Sequence, residues 1–586
     1  MNEALNNDNL TDENVAVSFR NVGKTFFGKV VANKGVSFDL YKGEVLSLLG
    51  ENGSGKTTLM NMLAGIYYPD EGSIYVNGKH ANIKTPKDAY DLHIGMVHQH
   101  FKLVEIFTAL QNIMLGLDKK IKFSKKQVRD DVTEICNRYG FNIDLDKKIY
   151  DMSVSEKQTL EIIKVLYRGA DILILDEPTA VLTPQETETL FSVIRNMRGD
   201  GKSIIIITHK LAEVLEISDR VVILRKGEYI GAIDTKNADQ KILTEMMVGK
   251  KVDLKIDRPI VETKSPLLEI RDLSVNSDDG NKAIDNVSFY IRGGEILGVA
   301  GITGCGQKEL CEAIAGLRPV AEGVIAHKGE NIIGMPPKAI IEKGVSMSFI
   351  PEDRLGMGLC PSFSITDNMM LKTYDKGKYN IKETEIVDTD GKVKKAMKTA
   401  VNGVVRFIDK MPCPFVDRKD ARKRSSALID KLEIVTPSTE TPVRRLSGGN
   451  VQKVLVGREI ESSPNVIVTA YPVRGLDINS AYVIYDILNE QKLKGTGILF
   501  VGEDLDVMLA LCDKIMVLCH GKNMGIVHAD KVTKEELGLM MTGSLNLTET
   551  RKDKNYGIAK DSNLTDVQWK EAEKETEEAK EKNINE

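Results

Sequence analysis

The 586-residue sequence lacks the marks of several protein classes. Aromatic residues make up only 5%, with one tryptophan, and the formal net charge of −5 leaves no basic surplus, so nucleic acid is not an expected partner. No apolar run approaches the roughly 18 residues that cross a bilayer, and the polar start MNEALNNDNLTDEN is unlike a secretory signal. We therefore expect a cytoplasmic protein.

The seven cysteines are odd in number and lack the paired spacing of a zinc site, so we expect reduced, mostly buried thiols. His93, His98 and His100 lie close together without cysteine or carboxylate partners at ligand spacing, which favours loop histidines over a metal site. The length exceeds what one core usually organises and predicts two large domains.

The sequence contains two copies of one plan. Two segments align with each other: VSFDLYKGEVLSLLGENGSGKTTLMNMLAGIYYPDEGSIYVNG in the first half and VSFYIRGGEILGVAGITGCGQKELCEAIAGLRPVAEGVIAHKG in the second. In each copy an apolar run ends in a glycine-rich turn and opens onto a periodic helix, the order of a parallel α/β sheet. The runs DILILD, SIIIIT and VVILRKG predict further buried strands. A tandem duplication is therefore predicted.

Offsets between the copies locate an insertion. Lys56 aligns with Gln307 at an offset of 251, whereas Asp176 aligns with Ala470 at an offset of 294. An intermediate landmark has an offset of 253, so about 41 residues are added after it, and the mixed-charge stretch at 374–415 is the expected place.

The landmarks divide the chain into five regions. These are a disordered N-terminus (1–14), a first domain (15–249), a charged linker (250–266), a second domain (267–545) and a charge-dense tail (546–586). The composition of the tail predicts disorder or a marginal single helix.

The stretch GENGSGKTT fits the phosphate-binding pattern GxxxxGK[ST] between a strand and a helix. Its glycines let successive N–H groups face a polyphosphate, and the helix N-terminus adds a favourable dipole. Lys56 then reaches the β and γ phosphates, and Thr57 can bind Mg²⁺. ATP and Mg²⁺ are the predicted cofactors, and the predicted binding residues are Gly50, Glu51, Asn52, Gly53, Ser54, Gly55, Lys56, Thr57 and Thr58.

The stretch ILILDEPTA supplies the matching carboxylates. A buried strand ends in Asp176, which can hold Mg²⁺ directly or through water, and Glu177 follows, positioned to polarise an attacking water. An exposed carboxylate pair would be the plain alternative. Four apolar residues instead deliver this pair to the sheet edge where α/β proteins bind ligands.

Longer segments carry a specific resemblance. VHQHFKLVEIFTALQNIMLG, YRGADILILDEPTAVLTPQE, IPEDRLGMGL and LSGGNVQKVLVGRE resemble the fused double ATP-binding subunit of bacterial ABC importers for simple sugars and nucleosides, from about Phe19 to Gly543. These segments resemble the nucleoside branch of the family more than its ribose or galactose branch. The resemblance implies an α/β fold with two tandem ABC-type P-loop NTPase domains, each with a parallel-sheet core, an antiparallel β subdomain and a helical subdomain.

The resemblance also assigns roles by position. Phe26 would stack on adenine, Gln99 would act near Mg²⁺ and the membrane partner, and His209 would contact the γ-phosphate. Two transmembrane permease subunits are implied as partners, with an extracellular solute-binding lipoprotein indirectly, at the cytoplasmic face of the membrane. Because both ATPase domains lie in one chain, no obligate homodimer is expected.

The second copy has lost these groups together. Gln307 in GITGCGQKEL replaces the lysine, Ala470 and Tyr471 replace the carboxylates, and Glu503 replaces the histidine. Lys308 cannot substitute for the lysine, because one step along a helix turns a side chain by about 100°. We expect the second loop to be empty or to hold nucleotide without turning it over.

The signature segment shows the opposite pattern. The first copy reads MSVSEKQ, with Val154 and Ser155 in place of two glycines, whereas the second copy keeps Ser447, Gly448, Gly449 and Asn450. In the ABC family the domains close head to tail, so the resemblance implies one intact composite site from the first loop and the second signature. Drift in an unused copy would not partition the damage in this way.

Two other functions stay open at this level. A soluble tandem ABC protein acting on ribosomes or nucleic acid would show a basic surface, a long charged connector and two intact sites, and the sequence shows none of these. A nucleotide-gated scaffold with little turnover is disfavoured by the intact Glu177. The sequence thus predicts an ATPase subunit that powers solute import.

Overall fold

The computed structural model describes most of both repeats. The described residues are 13–26, 28, 30–98, 101–115, 124–180, 182–249, 255–262, 265–302, 304–349, 358–371, 418–461, 463–474, 476, 478–547, 562–565 and 568–576. The predicted insertion at 374–415 lies outside them, as do residues 1–12. The chain divides into a first unit (1–255, 477–479 and 533–545) and a second unit (256–476, 480–532 and 546–586).

The first unit contains two sheets. One has six strands in the order β10-β9-β3-β8-β7-β6, parallel except for β10, and the other has four antiparallel strands in the order β2-β1-β4-β5. The strands are β1 (Val15–Phe26), β2 (Val30–Tyr41), β3 (Val45–Leu49), β4 (Glu71–Val76), β5 (Lys79–Ala81), β6 (Ile94–Val97), β7 (Ile172–Asp176), β8 (Ser203–Ile207), β9 (Arg220–Arg225) and β10 (Glu228–Asp234).

Helices cover the six-stranded sheet and form a separate cluster beside it. They are α1 (Lys56–Leu63), α2 (Pro86–Asp91), α3 (Ala109–Met114), α4 (Lys125–Tyr139), α5 (Val154–Tyr167), α6 (Pro184–Gly199), α7 (Leu211–Ile217) and α8 (Gln240–Val248). Residues of α3, α4 and α5 share one apolar core, which is the helical subdomain. Helix α5 also packs on the parallel sheet through Ile162, Val165 and Leu166, so it belongs to both layers.

The apolar runs of the sequence explain the central strands. All five residues of each of β3, β7 and β8 are buried, as expected for parallel strands covered on both faces. The carboxyl ends of these neighbouring strands lie at one edge of the sheet, where the loops after Leu49, Asp176 and Ile207 begin. The fold therefore places three candidate loops side by side.

The second unit repeats this architecture with the orders β12-β11-β14-β15 and β16-β17-β18-β13-β19-β20. Its strands are β11 (Pro266–Asn276), β12 (Lys282–Arg292), β13 (Ile296–Ala300), β14 (Glu322–His327), β15 (Glu330–Asn331), β16 (Val345–Phe349), β17 (Val466–Ala470), β18 (Gly497–Val501), β19 (Lys514–Cys519) and β20 (Lys522–His528). The predicted α/β fold of two tandem domains, each with a parallel and an antiparallel sheet, is confirmed.

The helices that follow the second phosphate-type loop complete the order of elements. They are α9 (Gln307–Ile314), α10 (Pro337–Glu342), α11 (Ile365–Met370), α12 (Arg418–Lys431), α13 (Gly448–Glu461), α14 (Ile478–Leu493), α15 (Leu505–Leu511) and α16 (Lys534–Met541). Helix α16 falls in the first unit, where it packs against α6. Among the described helices, none is both long enough and apolar enough to cross a membrane.

The tail, for which composition predicts disorder or a marginal single helix, contains a helix among its described residues. Residues 568–576 form a helix, and Trp569, 2% exposed, packs with Val324 and Ala326 on the antiparallel sheet of the second unit. The Arg271 guanidinium lies 4.2 Å from the centre of the Trp569 ring. Burial of one large ring and a cation–π contact stabilise a segment that is otherwise charged.

Candidate nucleotide site

The loop between β3 and α1 curls around the head of its own lysine. Lys56 Nζ donates to the carbonyl oxygens of Gly50 and Glu51, at 2.6 and 3.0 Å. Gly55 has a φ of +92°, and a Cβ at that position would overlap the carbonyl oxygen of Ala32. Only glycine combines this backbone conformation with this close approach.

Within this loop the predicted binding residues differ in exposure. Asn52, Gly53 and Thr57 are exposed, whereas Glu51, Gly55 and Thr58 are partly buried. Ser54 is buried, and its hydroxyl oxygen lies 3.5 Å from Lys56 Nζ. The exposed face of the loop and the first turn of α1 are thus open to a ligand.

Lys56 is held in a dry environment between acidic groups. Its side chain is buried, and burial lowers the pKa of the ammonium to about 8, although Glu177, Asp176 and Glu51 oppose the shift. The group is still mostly protonated at neutral pH. Because charges interact more strongly where water is excluded, this ammonium suits a polyphosphate.

Asp176 ends β7 as a buried carboxyl. Burial raises its pKa to about 6, the neighbouring Glu177 adds to the shift, and Lys56 opposes it. A carboxylate desolvated in this way gains from a cation, and oxygen donors are the ligands that Mg²⁺ prefers. Asp176 together with the Thr57 hydroxyl at the start of α1 fits that donor set.

Glu177 and His209 are brought together by strand pairing. Asp176 lies opposite Ile207 in the β7–β8 ladder, and the Glu177 N–H donates to the Ile207 carbonyl at 2.8 Å. His209 Nδ1 lies 3.1 Å from Glu177 Oε1, and this hydrogen bond lowers the pKa of Glu177. Glu177 therefore stays ionised, as a group that polarises water must.

Phe26 ends β1 with its ring framed by two neighbours. The ring of Tyr67 meets it edge to face, with centroids 5.2 Å apart, and Lys24 Nζ lies 5.7 Å from its centre. Lys24 is itself fixed, because its Nζ donates to Asp70 at 2.7 Å. The half-buried Phe26 ring is thus oriented by its surroundings, as a stacking platform for a base would be.

Two groups of predicted site residues lie outside the described part of the first unit. Gln99, predicted as a catalytic and Mg²⁺-linked residue, lies outside the described residues. Ser447, Gly448, Gly449 and Asn450 belong to the second unit, at the start of α13. There the Asn450 side-chain amide donates to Ser447 Oγ at 2.9 Å, and the Val435 N–H donates to Asn450 Oδ1 at 3.0 Å.

The second loop keeps the shape of the first with different chemistry. Gln307 is buried, and its side-chain amide donates to the Ile302 carbonyl at 3.2 Å, so a neutral group occupies the place of the Lys56 ammonium. Lys308 points elsewhere: its Nζ lies 3.7 Å from Glu312 one turn along α9. The loop has retained its frame, but neither Gln307 nor Lys308 directs a cation into it.

The edge beside that loop is neutralised by its own side chains. Arg474 Nε lies 3.4 Å from Glu503 Oε1, and its guanidinium lies 5.8 Å from the centre of the Tyr471 ring. Burial raises the pKa of Tyr471 above its ordinary value, so the phenol is protonated and supplies no base. Arg474 stands at the position of Ala180 by the offset of 294.

Sequence reasoning missed several supporting groups. It missed the Arg474–Glu503 pair, which the alignment of the copies could have revealed as an added charge opposite a lost histidine. It also missed Asn33, whose side-chain amide donates to the Gly55 carbonyl at 3.2 Å, and the Tyr67 ring beside Phe26. Those contacts link residues far apart in sequence, and no local pattern signals them.

Comparison with known proteins agrees with this geometry. The profile described as ABC transporter matches residues 33–180 and 284–469. The chain is 38% identical over 528 residues to the nucleoside import ATP-binding protein NupA of Lactococcus lactis subsp. cremoris, across 89% of this chain and 97% of that protein. It is 39% identical over 530 residues to the guanosine import ATP-binding protein NupO of Bacillus subtilis, across 90% and 97%. For the glucose import ATP-binding protein TsgD13 of Haloferax volcanii the identity is 35% over 562 residues, across 90% and 96%.

Proposed function

The chain belongs to the ABC transporter family, and on that premise we propose that it is the ATP-hydrolysing subunit of an importer for nucleosides or simple sugars. The resemblance found in the sequence is confirmed by the family match and by the named import relatives. Identity is 38% and 39% to the nucleoside and guanosine import proteins and 35% to the glucose import protein, which supports the nucleoside branch.

One observation carries the proposal. In the first unit a buried ammonium (Lys56), a buried carboxyl of raised pKa (Asp176) and an ionised carboxylate held by a histidine (Glu177 with His209) meet at the carboxyl edge of the parallel sheet. These are the parts that phosphoryl transfer to water requires: a clamp for the phosphates, a ligand for Mg²⁺ and a base.

Each group has a defined task in hydrolysis. Lys56 binds the β and γ phosphates, and Phe26 supports the base of the nucleotide. Asp176 and Thr57 would hold Mg²⁺, which would supply charge neutralisation for the phosphates. Glu177 accepts a proton from the attacking water, and His209 keeps that carboxylate oriented. Gln99 is assigned to the surroundings of Mg²⁺ and to the contact with the membrane partner by the family resemblance alone.

We further propose that hydrolysis takes place at a single composite site. The second unit lacks the ammonium, the metal ligand and the base, yet it keeps the serine and glycines of the signature at 447–449. The partition of intact and altered segments between the copies supports a site that pairs the first loop with the second signature. Permease subunits are the partners that import requires, and a solute-binding protein outside the membrane completes the proposal.

The assignment of the base is tested by ATP hydrolysis of the full chain reconstituted with its permease subunits. Glu177→Gln keeps the size and the hydrogen bond to His209 but removes the proton acceptor, so phosphate release falls by about 10²- to 10⁴-fold. Tyr471→Glu is the matched change in the second unit and leaves the rate unchanged, because Gln307 supplies no ammonium there. Equal rates for Glu177→Gln and the parent would refute the assignment.

A further inference from the structure

A buried ion pair on α5 grips the backbone of the segment that follows Gln99. Lys102 lies three residues after Gln99, and its N–H donates to Glu161 Oε1 at 2.9 Å. Its carbonyl oxygen accepts from Lys164 Nζ at 3.2 Å, and Lys164 Nζ lies 2.8 Å from Glu161 Oε2. The three groups form a closed ring that includes the backbone of one residue, and we call it the Lys102 bracket.

The bracket is buried, and its ion pair is not expected to add much to the stability of the fold. Glu161 and Lys164 are 4% and 9% exposed. Desolvation of two charges offsets most of their attraction, so a buried pair of this kind adds little net stability over apolar residues of similar size. The gain is directional: two hydrogen bonds to a charged pair fix the position of one backbone unit.

Comparison of the two copies separates the bracket from ordinary packing. A second contact, in which Asn112 exchanges hydrogen bonds with Val104 at 2.8 and 3.1 Å, has its counterpart in the second unit, where Asn368 does the same with Cys360 at 2.8 and 3.1 Å. The asparagine contact is therefore part of the common fold.

The bracket is not repeated among the described residues of the second unit. By the offset of 294, Leu455 stands at the position of Glu161 and Arg458 at that of Lys164. A leucine cannot accept a hydrogen bond, and Arg458 pairs instead with its neighbour Glu459 at 2.9 Å. The bracket is thus present in the copy that keeps the ATPase groups, and its acceptor is lost in the other.

We propose that Glu161 and Lys164 are positioning residues that make residues 101–107 move together with α5, and so couple nucleotide binding at the phosphate loop to the helical subdomain. The proposal rests on the proposed ATP site of the first unit. Helix α5 suits this task because Leu160 and Ile163 pack into the helical subdomain, whereas Ile162 and Val165 pack on the parallel sheet.

Hydrogen exchange of the full-length chain tests the proposal, with and without MgATP, in a Glu177→Gln background that retains the nucleotide. In the parent, ATP slows exchange in the phosphate loop (50–58) and also in residues 101–107 and 153–167. In the double variant Glu161→Leu with Lys164→Met, the loop still slows, but the response at 153–167 shrinks by about 2- to 30-fold, the range expected for a lost coupling contact. Both charges are removed together, so no unpaired charge is left buried.

Two further variants separate positioning from general weakening. Lys147→Met removes another ion pair of α5, with Glu156 at 2.8 Å, without touching Lys102, and it responds to ATP as the parent does. Lys164→Arg keeps a donor for the Lys102 carbonyl, so ATP slows exchange at 153–167 as it does in the parent. An unchanged response in the double variant, or an equal loss in Lys147→Met, overturns the proposal. If the parent loop at 50–58 shows no slowing with ATP, the proposed function itself fails.

Discussion

At the scale of single residues, the two copies show that chemistry can be lost while the backbone is kept. Glu177 and Tyr471 have φ values of +49° and +53°, a conformation that non-glycine residues rarely adopt. Each N–H donates at 2.8 Å to the strand alongside, to Ile207 and to Val501 respectively. The strained turn is therefore a property of the fold, and only the side chain decides whether a base is present.

The phosphate loop yields a paired prediction at this scale. Gly55→Ala adds a Cβ that overlaps the Ala32 carbonyl, and the φ of +92° is costly for alanine as well. Gly53→Ala shares the second cost, with a φ of +80°, but nothing lies within 4 Å of its Cβ. We expect Gly53→Ala to lower the free energy of unfolding by about 1–2 kcal/mol, and Gly55→Ala to lower it further and to abolish ATP binding.

Hydrogen exchange of β3 and α1 at increasing urea concentration reports the unfolding of the first unit. It measures the difference in the free energy of unfolding between the two variants. Nucleotide affinity is measured by equilibrium titration of the same proteins. Equal losses for the two alanines would show that the contact with Ala32 does not restrict the loop.

At the scale of elements, the tail shows what composition leaves undecided. Its charge density predicts disorder or a marginal single helix, and Trp569, Ala572 and Thr576 are buried at helical spacing on one face of residues 568–576. Asn563 adds a fixed start, since its side-chain amide donates to the Pro266 carbonyl at 2.7 Å. A stripe of three residues in a charged background was too short to outweigh composition, and its partners Val324 and Ala326 are more than 200 positions away in the sequence.

The single tryptophan makes tail docking easy to measure. Ala326→Asp places a carboxylate under the buried Trp569 ring, where burial without a partner is unfavourable by several kcal/mol, roughly. We expect the tail to detach and the fluorescence emission to shift to longer wavelength, as for an indole in water. Lys570→Ala changes an exposed neighbour on the same helix and leaves the emission unshifted. A buried-type emission in Ala326→Asp would contradict the docking.

At the scale of the whole molecule, features that are local in sequence or repeated between the copies could be predicted. The duplication and the α/β fold follow from the repeated pattern of strand, glycine-rich turn and helix. The clustering of Lys56, Asp176 and Glu177 follows from strand ends that share one sheet edge. The bracket on Lys102 could not be predicted, because it depends on packing between distant segments. The Arg474–Glu503 pair was missed although alignment of the two copies could have revealed it. Gln99 and the region at 374–415 stay predictions from sequence.

The partition of function between the copies predicts unequal roles for two equivalent serines. Ser447→Ala removes a donor for the γ-phosphate at the proposed composite site, and we expect ATP hydrolysis to fall by about 10²- to 10³-fold. Ser153→Ala removes the N-cap of α5, where the Ser153 hydroxyl accepts from the Glu156 N–H at 3.1 Å, and lowers stability by about 1 kcal/mol with hydrolysis retained. Steady-state phosphate release and thermal melting of the reconstituted complex distinguish them. A larger loss of hydrolysis in Ser153→Ala would reverse the assigned pairing.

The Arg474–Glu503 pair also bears on how reversible this division of labour is. An ammonium restored at position 307 would meet Ala470 and Tyr471 where Lys56 meets two carboxylates. It would lack the opposing effect that Asp176 and Glu177 have on Lys56, and burial would favour its neutral form. A carboxylate restored at 471 would face the existing acidic Glu503. Neither of these substitutions alone restores ATP hydrolysis to the second site. Evolution back to two ATP-hydrolysing sites would therefore require several changes, and the early ones would bring no gain in activity.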